Sequence, residues 1–268
     1  MRFAARTHPG RRGGENEDSM GWDESHALWF VADGMGGHAR GDVASRIVKE
    51  TLLAQASVPL TEALENAHAA LLKAAAENPE YNNMGSTAVV ARMGEGSSEI
   101  AWVGDSRAYL WRNQELTGVT RDHSFLELLR EQQPLSEEEL RHHPHRNLVT
   151  QTIGIGTPNP SVTNVSLRKG DWLLLCSDGL NDELEDREIA DALKAHPEVA
   201  AAADALIAAA LAKGGKDNVS VVLVEYDGPD GVSSPSVMSR TVMKWLPVAA
   251  GVLAACLVAV FMMWRHFR

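Results

Sequence analysis

The sequence predicts an α+β fold with antiparallel strand pairing, followed by one C-terminal transmembrane helix. Three observations carry this expectation. Short apolar strands at 87–92, 99–103 and 108–111 follow one another through glycine-bearing turns without a helix between them, and strands connected in that way pair antiparallel. Two stretches, 42–56 and 61–77, place their apolar residues at helical spacing and supply packing layers. Residues 245–264 carry no charge, and roughly 20 such residues span the hydrocarbon of a bilayer as a helix.

In chain order, a short opening strand leads into the polar run 7–14 and then Asn16-Glu17-Asp18. Residues 27–32 are apolar, aromatic-rich and bounded by polar neighbours, which reads as a buried strand. This strand delivers Asp33 into the turn Asp33-Gly34-Met35-Gly36-Gly37-His38, where glycines let the backbone approach a bound ion or phosphate closely. In the first helix Ala44, Ile47, Val48, Thr51 and Leu52 share one face; in the second, Leu64, Ala67, Leu71 and Leu72 do, and Asn78-Pro79 stops it. Gly85-Ser86-Thr87 opens the three strands. The second join between them, Gly104-Asp105-Ser106-Arg107, again sets an aspartate beside glycine at a strand end.

A charged insertion with two helical pieces lies between Thr120-Arg121-Asp122-His123-Ser124 and Gly154, the second piece starting in a capping box from Ser136 to Glu139. His142, His143 and His145 in it read as a solvated face, with metal ligation as the sharper alternative. Strands at 162–167 and 172–176 follow, the latter running into Ser177-Asp178-Gly179. Helices at 186–195 and 197–213 end at Gly214-Gly215, and Lys216-Asp217-Asn218 precedes a last strand at 219–225. Residues 229–243, rich in Gly, Pro and Ser, form a flexible linker to the transmembrane helix at 244–264, with 265–268 as a short tail.

Composition removes several function classes. All 36 acidic residues but only part of the 25 basic ones lie within 1–239, since Arg240, Lys244, Arg265 and Arg268 belong to the tail, so a nucleic-acid partner is not expected. The two cysteines, Cys176 and Cys256, make no disulfide framework and fit a reducing compartment. A cysteine phosphatase needs Cys-x5-Arg, but Asp182 stands six residues past Cys176. There is no phosphate-binding Gly-x4-Gly-Lys-[Ser/Thr], no His-Glu-x-x-His and no Gly-x-Ser-x-Gly. The N-terminus lacks the apolar core of a secretory signal, which places the domain ahead of the transmembrane helix in the cytoplasm and the protein in the inner membrane as a single-pass species.

What remains is a set of aspartates, Asp18, Asp33, Asp105, Asp178 and Asp217, spread over several apolar strands and expected to meet on one face. Without a cation such a group repels itself severely. Oxygen ligands with few histidines favour hard cations such as Mn²⁺ or Mg²⁺ over zinc, and two of them about 3.5–4 Å apart serve phosphoryl displacement.

The ordered motifs Asn16-Glu17-Asp18, Val31-Ala32-Asp33-Gly34-Met35-Gly36-Gly37-His38, Gly85-Ser86-Thr87, Val103-Gly104-Asp105-Ser106-Arg107, Arg121-Asp122-His123-Ser124, Cys176-Ser177-Asp178-Gly179-Leu180 and Asp217-Asn218 resemble those of the bacterial metal-dependent Ser/Thr protein phosphatases of the PPM, or PP2C, family. The likeness runs over about residues 1–226. It implies a four-layer α-β-β-α sandwich of two antiparallel sheets flanked by helices, a phosphatase domain over 1–228 with its flap at about 125–147, and two Mn²⁺ or Mg²⁺ ions with a third, weaker site. It further implies that Asp33 bridges the two ions, the Gly34 carbonyl binds the second, and Asp178 and Asp217 hold the first. Glu17 and Asp18, and with them Asn218, would act mainly through metal-bound waters. Asp105 would belong to the third site, and His38 would protonate the leaving seryl or threonyl oxygen.

One residue departs from the pattern. The phosphate-binding arginine expected five residues before Asp18 is Gly13 here, and Arg12, with Arg11 beside it, is the replacement. The resemblance makes the substrates phosphoserine and phosphothreonine proteins and the natural opponent a Ser/Thr protein kinase. The competing readings are a catalytically silent, membrane-tethered phosphoprotein-binding scaffold, supported only by that arginine, and a metal-dependent phosphodiesterase or nuclease, which the acidic surface disfavours.

Overall fold

The apolar runs that make the strands hard to read by alternation are apolar because each sheet is covered on both faces. One sheet has the order β1 (Arg2–His8), β11 (Val219–Glu225), β10 (Trp172–Cys176), β7 (Arg107–Arg112), β8 (Glu115–Gly118). The other runs β2 (Asp18–Asp23), β3 (Leu28–Met35), β5 (Ala88–Gly94), β6 (Ser97–Val103), β9 (Ser161–Ser166), with β4 (Gly85–Ser86) paired to the end of β3. All pairings are antiparallel. The helices are α1 (Gly41–Ala54), α2 (Leu60–Glu77), α3 (Phe125–Gln132), the single turn α4 (Asp178–Asn181), α5 (Asp186–Ala195) and α6 (Val199–Lys213).

The computed structural model describes residues 1–36, 40–132, 139, 143–145 and 147–231. His38, His142, the helix expected from Ser136, the transmembrane segment 244–264 and most of the linker 229–243 lie outside the described residues.

Successive side chains of one strand serve different cores. In β3, Leu28, Phe30 and Ala32 pack with α1 and α2, while Trp29 and Val31 join the layer between the sheets. In β11, Val219, Val221 and Leu223 pack with α5 and α6, while Val222 and Val224 face inward. Three apolar layers separated by two sheets make a four-layer α-β-β-α sandwich. The compact unit reaches Gly231. Its last residues are bonded down at the pole of the sheets where the β5–β6 turn lies: Gly231 N–H donates to the Leu167 carbonyl at 2.7 Å and Lys169 N–H to Asp230 at 2.8 Å.

The structure corrects three expectations. Strands 99–103 and 108–111 were expected to pair as neighbours, but β6 and β7 belong to different sheets, so Gly104-Asp105-Ser106 crosses from one sheet to the other. Leu72 is 46% exposed, because the buried stripe of α2 runs through Leu60, Ala63, Leu64, Ala67 and Leu71. Asp18 opens a strand instead of ending a polar loop. That strand, β2, is short and polar at both ends, and its Gly21 exists because the Phe30 ring lies where a side chain would be.

Candidate metal centre

Antiparallel register gathers particular strand ends at one edge of both sheets. Asp18, starting β2, is paired with Asp33 near the end of β3, and Ala88, starting β5, with Val103, ending β6. In the other sheet Cys176, ending β10, pairs with Arg107, starting β7, and His8, ending β1, pairs with Val219, starting β11. Asp105, Asp178 and Asp217 follow or precede these ends by one or two residues. Widely separated aspartates are thereby delivered to one place by rigid elements.

Their electrostatics confirm that they meet. Asp33 is held well above the ordinary carboxylate range, first by withdrawal from water and then by the charges of Asp18, Asp178 and Asp105. Asp178 is raised likewise, by burial and then by Asp105, Asp182 and Asp217. Burial pushes Asp105 up to about 7, with Asp122 adding to it. Asp18 rises to about 6, again mainly by burial, although hydrogen bonds from Ser220 and Ser177 pull it down.

A second group of oxygens meets at the start of α1. Glu17 accepts a hydrogen bond from the Gly41 N–H, and its carbonyl accepts from Gly34 N–H at 3.2 Å. A Cβ on Gly41 would stand 2.6 Å from the Gly34 carbonyl oxygen and 2.7 Å from Glu17 Oε2. The space that a side chain would occupy is thus lined by the Gly34 carbonyl oxygen, expected to bind the second ion, and by Glu17, expected to act through a metal-bound water. A Cβ on Gly34 would in turn strike the Gly41 carbonyl, so a larger residue at either position must displace its neighbour.

These residues fit divalent cations on the structure's own terms. Asp18 Oδ1, Asp178 Oδ1 and Asp42 Oδ1 are buried without a hydrogen-bond partner, and a buried carboxylate oxygen with no donor is stabilised by a cation. Among the described residues no three His, Cys, Asp or Glu side chains stand together in ligating geometry. The fit to a cation therefore rests on the unpartnered carboxylate oxygens and on the Gly34 carbonyl beside Glu17. The His143 and His145 rings meet each other and Phe125 in tilted or edge-on contacts, with centroids 5.7–5.9 Å apart.

Sequence reasoning missed the hydroxyls that hold this centre in place. Ser86 Oγ donates to the Asp33 carbonyl at 2.9 Å, Thr87 Oγ1 accepts from Asp33 N–H at 3.3 Å, and Thr87 and Ser106 share a 2.7 Å bond. Ser177 Oγ donates to Asp18 at 2.8 Å and accepts from Ser220 N–H at 3.0 Å. All five side chains are buried. Four belong to quoted motifs, and Ser220 is the lone hydroxyl in an otherwise apolar strand, a signal available in the sequence. Asn218 uses its side-chain oxygen to accept from Glu17 N–H at 2.7 Å and its amide to donate to the Pro9 carbonyl at 3.1 Å, which ties the 9–17 loop to the centre. Arg11 N–H donates to the Gly215 carbonyl at 2.7 Å, so the loop carrying Arg11 and the exposed Arg12 runs beside Asp217.

Behind Asp105, Gly104 N–H donates to His123 Nδ1 at 3.2 Å, and burial holds that imidazole below its ordinary pKa. Arg107 makes a two-pronged contact with Asp122 at 2.7–3.1 Å. The crossing between the sheets is therefore fixed on both sides.

Comparison with known proteins agrees with the geometry. The family model described as Protein phosphatase 2C matches residues 7–214. The serine/threonine protein phosphatase PstP of Mycobacterium tuberculosis is 37% identical over 238 residues, covering 85% of this chain and 46% of that protein, so the chain spans about half the length of that relative. The serine/threonine phosphatase stp of Listeria monocytogenes is 36% identical over 243 residues and is covered over 96% of its length, against 85% of this chain. Among solved structures, the catalytic domain of PstP in complex with two manganese ions superposes with a TM-score of 0.76 at 35% identity, covering 84% of this chain and 97% of that one.

Proposed function

The chain belongs to the protein phosphatase 2C family, and from that premise we propose that it hydrolyses phosphoserine and phosphothreonine in proteins at a binuclear Mn²⁺ or Mg²⁺ centre. The observation that carries the reading is the meeting of Asp18, Asp33, Asp105 and Asp178 at one sheet edge, desolvated and with buried oxygens left unpartnered. Ions bound there lower the pKa of a water and offset the charge of the phosphoryl oxygens.

The chain's own residues do the rest. Asp33, Asp178 and Asp217 hold the centre from both sheets, and the Gly34 carbonyl and Glu17 close its α1 side. Ser86 and Thr87 fix the Asp33 backbone, Ser177 keeps Asp18 ionisable, and Asn218 sets Glu17 in place. His38 protonates the leaving oxygen, a step that matters because a seryl or threonyl alkoxide leaves poorly. Arg12 binds the phosphate from the loop pinned beside Asp217.

The uncharged run 245–264 supports a membrane tether, with the phosphatase domain on the cytoplasmic face of the inner membrane and a Ser/Thr kinase as the opposing enzyme. The test is hydrolysis of phosphothreonine peptides and p-nitrophenyl phosphate with Mn²⁺. Asp33→Ala and Asp178→Ala are each expected to lose activity by about 10³-fold or more. Full activity in either variant would sink the proposal.

A further inference from the structure

A cleft of about 880 Å³ opens from Asp105 and Asp178 and runs outward between α3 and the segment of α4 and α5. Its size suits a ligand, and its two walls differ in charge. On the α3 side the charges cancel: Arg107 is committed to Asp122, Arg130 to Glu127, and Arg121 is shared between Glu127 and Glu131, at 2.5–2.8 Å. On the other side residues 182–186 contribute Asp182, Glu183, Glu185 and Asp186. The cations lining that wall are Arg187 and Lys213. Lys213 is bound to Glu188 at 2.7 Å and lies in the field of Glu185 and Glu183 as well, so its charge is spent within the wall.

The acids of this wall are built in place. Glu183 accepts from Lys216 N–H at 3.0 Å, Glu185 caps α5 in a capping box with Glu188, and Asp186 accepts from the Tyr109 hydroxyl at 3.2 Å. The backbone and hydroxyl donors to Glu183 and Asp186 orient those carboxylates without bringing a counter-charge of their own. At the inner end stands Asp178, with its buried, unpartnered Oδ1. We infer that this cleft receives the substrate polypeptide next to the phosphorylated residue and that its acidic wall selects basic residues there. The inference rests on the hydrolytic reading given above, because the cleft's inner end is that reaction centre. Complementary charge beside a reacting site raises encounter and discriminates between partners.

The experiment uses the full chain in detergent with Mn²⁺ and pairs of phosphothreonine peptides carrying two arginines or two glutamates, placed on either side in turn. Peptides with arginines on one side are expected to show kcat/KM about five- to tenfold higher than their glutamate counterparts at low salt, a preference that shrinks at high ionic strength. The double variant Glu185→Gln/Asp186→Asn keeps the cap and the Tyr109 partner while removing two charges, and the ratio between paired peptides is expected to fall to about twofold or less. The ratio is internal to each preparation, so a change in overall rate does not obscure it. Should the variant fail to fold, the salt dependence of the parent's ratio decides. Equal kcat/KM for paired peptides in a parent that hydrolyses p-nitrophenyl phosphate overturns the selection and leaves the hydrolytic reading intact. No hydrolysis of any of these substrates overturns both.

Discussion

Gly41→Ala tests the α1 side of the centre with the smallest possible change. The added Cβ would stand 2.6 Å from both the Gly34 carbonyl oxygen and Glu17 Cδ, and 2.7 Å from Glu17 Oε2. One of these neighbours is backbone in a paired strand and cannot move cheaply. Gly41 has no left-handed conformation, so alanine meets no backbone strain and the effect is steric. Overpacking costs about 1–3 kcal/mol, and alanine's better helix propensity returns up to about 1 kcal/mol, leaving a net loss of roughly 0–2 kcal/mol in urea unfolding without metal. Metal binding should suffer more, because Glu17 must swing out of the space it shares with Gly34. Displacing a supporting oxygen typically costs about 10–100-fold in metal affinity. Titration calorimetry with Mn²⁺ reads this directly. Gly36→Ala, earlier in the same turn, meets nothing nearer than 3.5 Å and is expected to cost much less. If Gly41→Ala binds two Mn²⁺ ions with parental affinity, Glu17 and the Gly34 carbonyl do not hold an ion, and the close approach of Gly34 and Gly41 is packing alone.

Two further predictions follow from hydrogen bonds. Ser177→Ala removes a donor to Asp18, a carboxyl already raised to about 6 by burial, and so raises it further. The acid limb of Mn²⁺ binding against pH should then move to higher pH, and an unmoved limb would show that Asp18 takes no part in binding. His68 accepts from Gly154 N–H at 2.9 Å through Nδ1, which requires the unprotonated ring, and burial depresses its pKa below 6.5. Its contribution is present above the unfolded value and lost as pH falls through the folded one. Unfolding free energy of the parent should therefore drop more than that of His68→Gln between pH 7.5 and 5, by less than about 1 kcal/mol because the ring is partly open to solvent; parallel profiles would refute the assignment.

The sequence announces the centre more clearly than the fold that assembles it. Asp33, Asp105 and Asp178 are legible because each ends an apolar run and touches a glycine, a pattern that survives without any knowledge of pairing. The last strand and the helix at 186–195 appear where periodicity sets them, since nothing competes with a clear apolar pattern. The sheet switch at Gly104-Asp105-Ser106 leaves no local trace: a hairpin turn and a crossing between sheets use the same residue types, and only the partners of β6 and β7 distinguish them. The supporting hydroxyls are hidden for a related reason. Ser177 and Ser220 acquire their role by meeting Asp18 across about 160 to 200 residues of sequence; Ser220 stands out among its apolar neighbours, but nothing local names its partner.

Placing the centre at a sheet edge also explains how so much buried charge is tolerated. Four carboxyls withdrawn from water cannot all ionise unaided, and three devices are available to them. Hydroxyls donate into Asp18, carboxyls raised by burial can keep a proton, and cations can take the oxygens left without donors. The last two devices compete for the same atoms, so loading the centre with metal must expel protons. Asp18 and Asp105 are both held above the ordinary carboxylate range mainly by burial, so a cation entering there competes with protons. The rigidity of the two sheets makes this exchange possible without rearrangement: the strand ends are fixed by the apolar layers behind them, so the oxygens stay together whether protons or cations hold them.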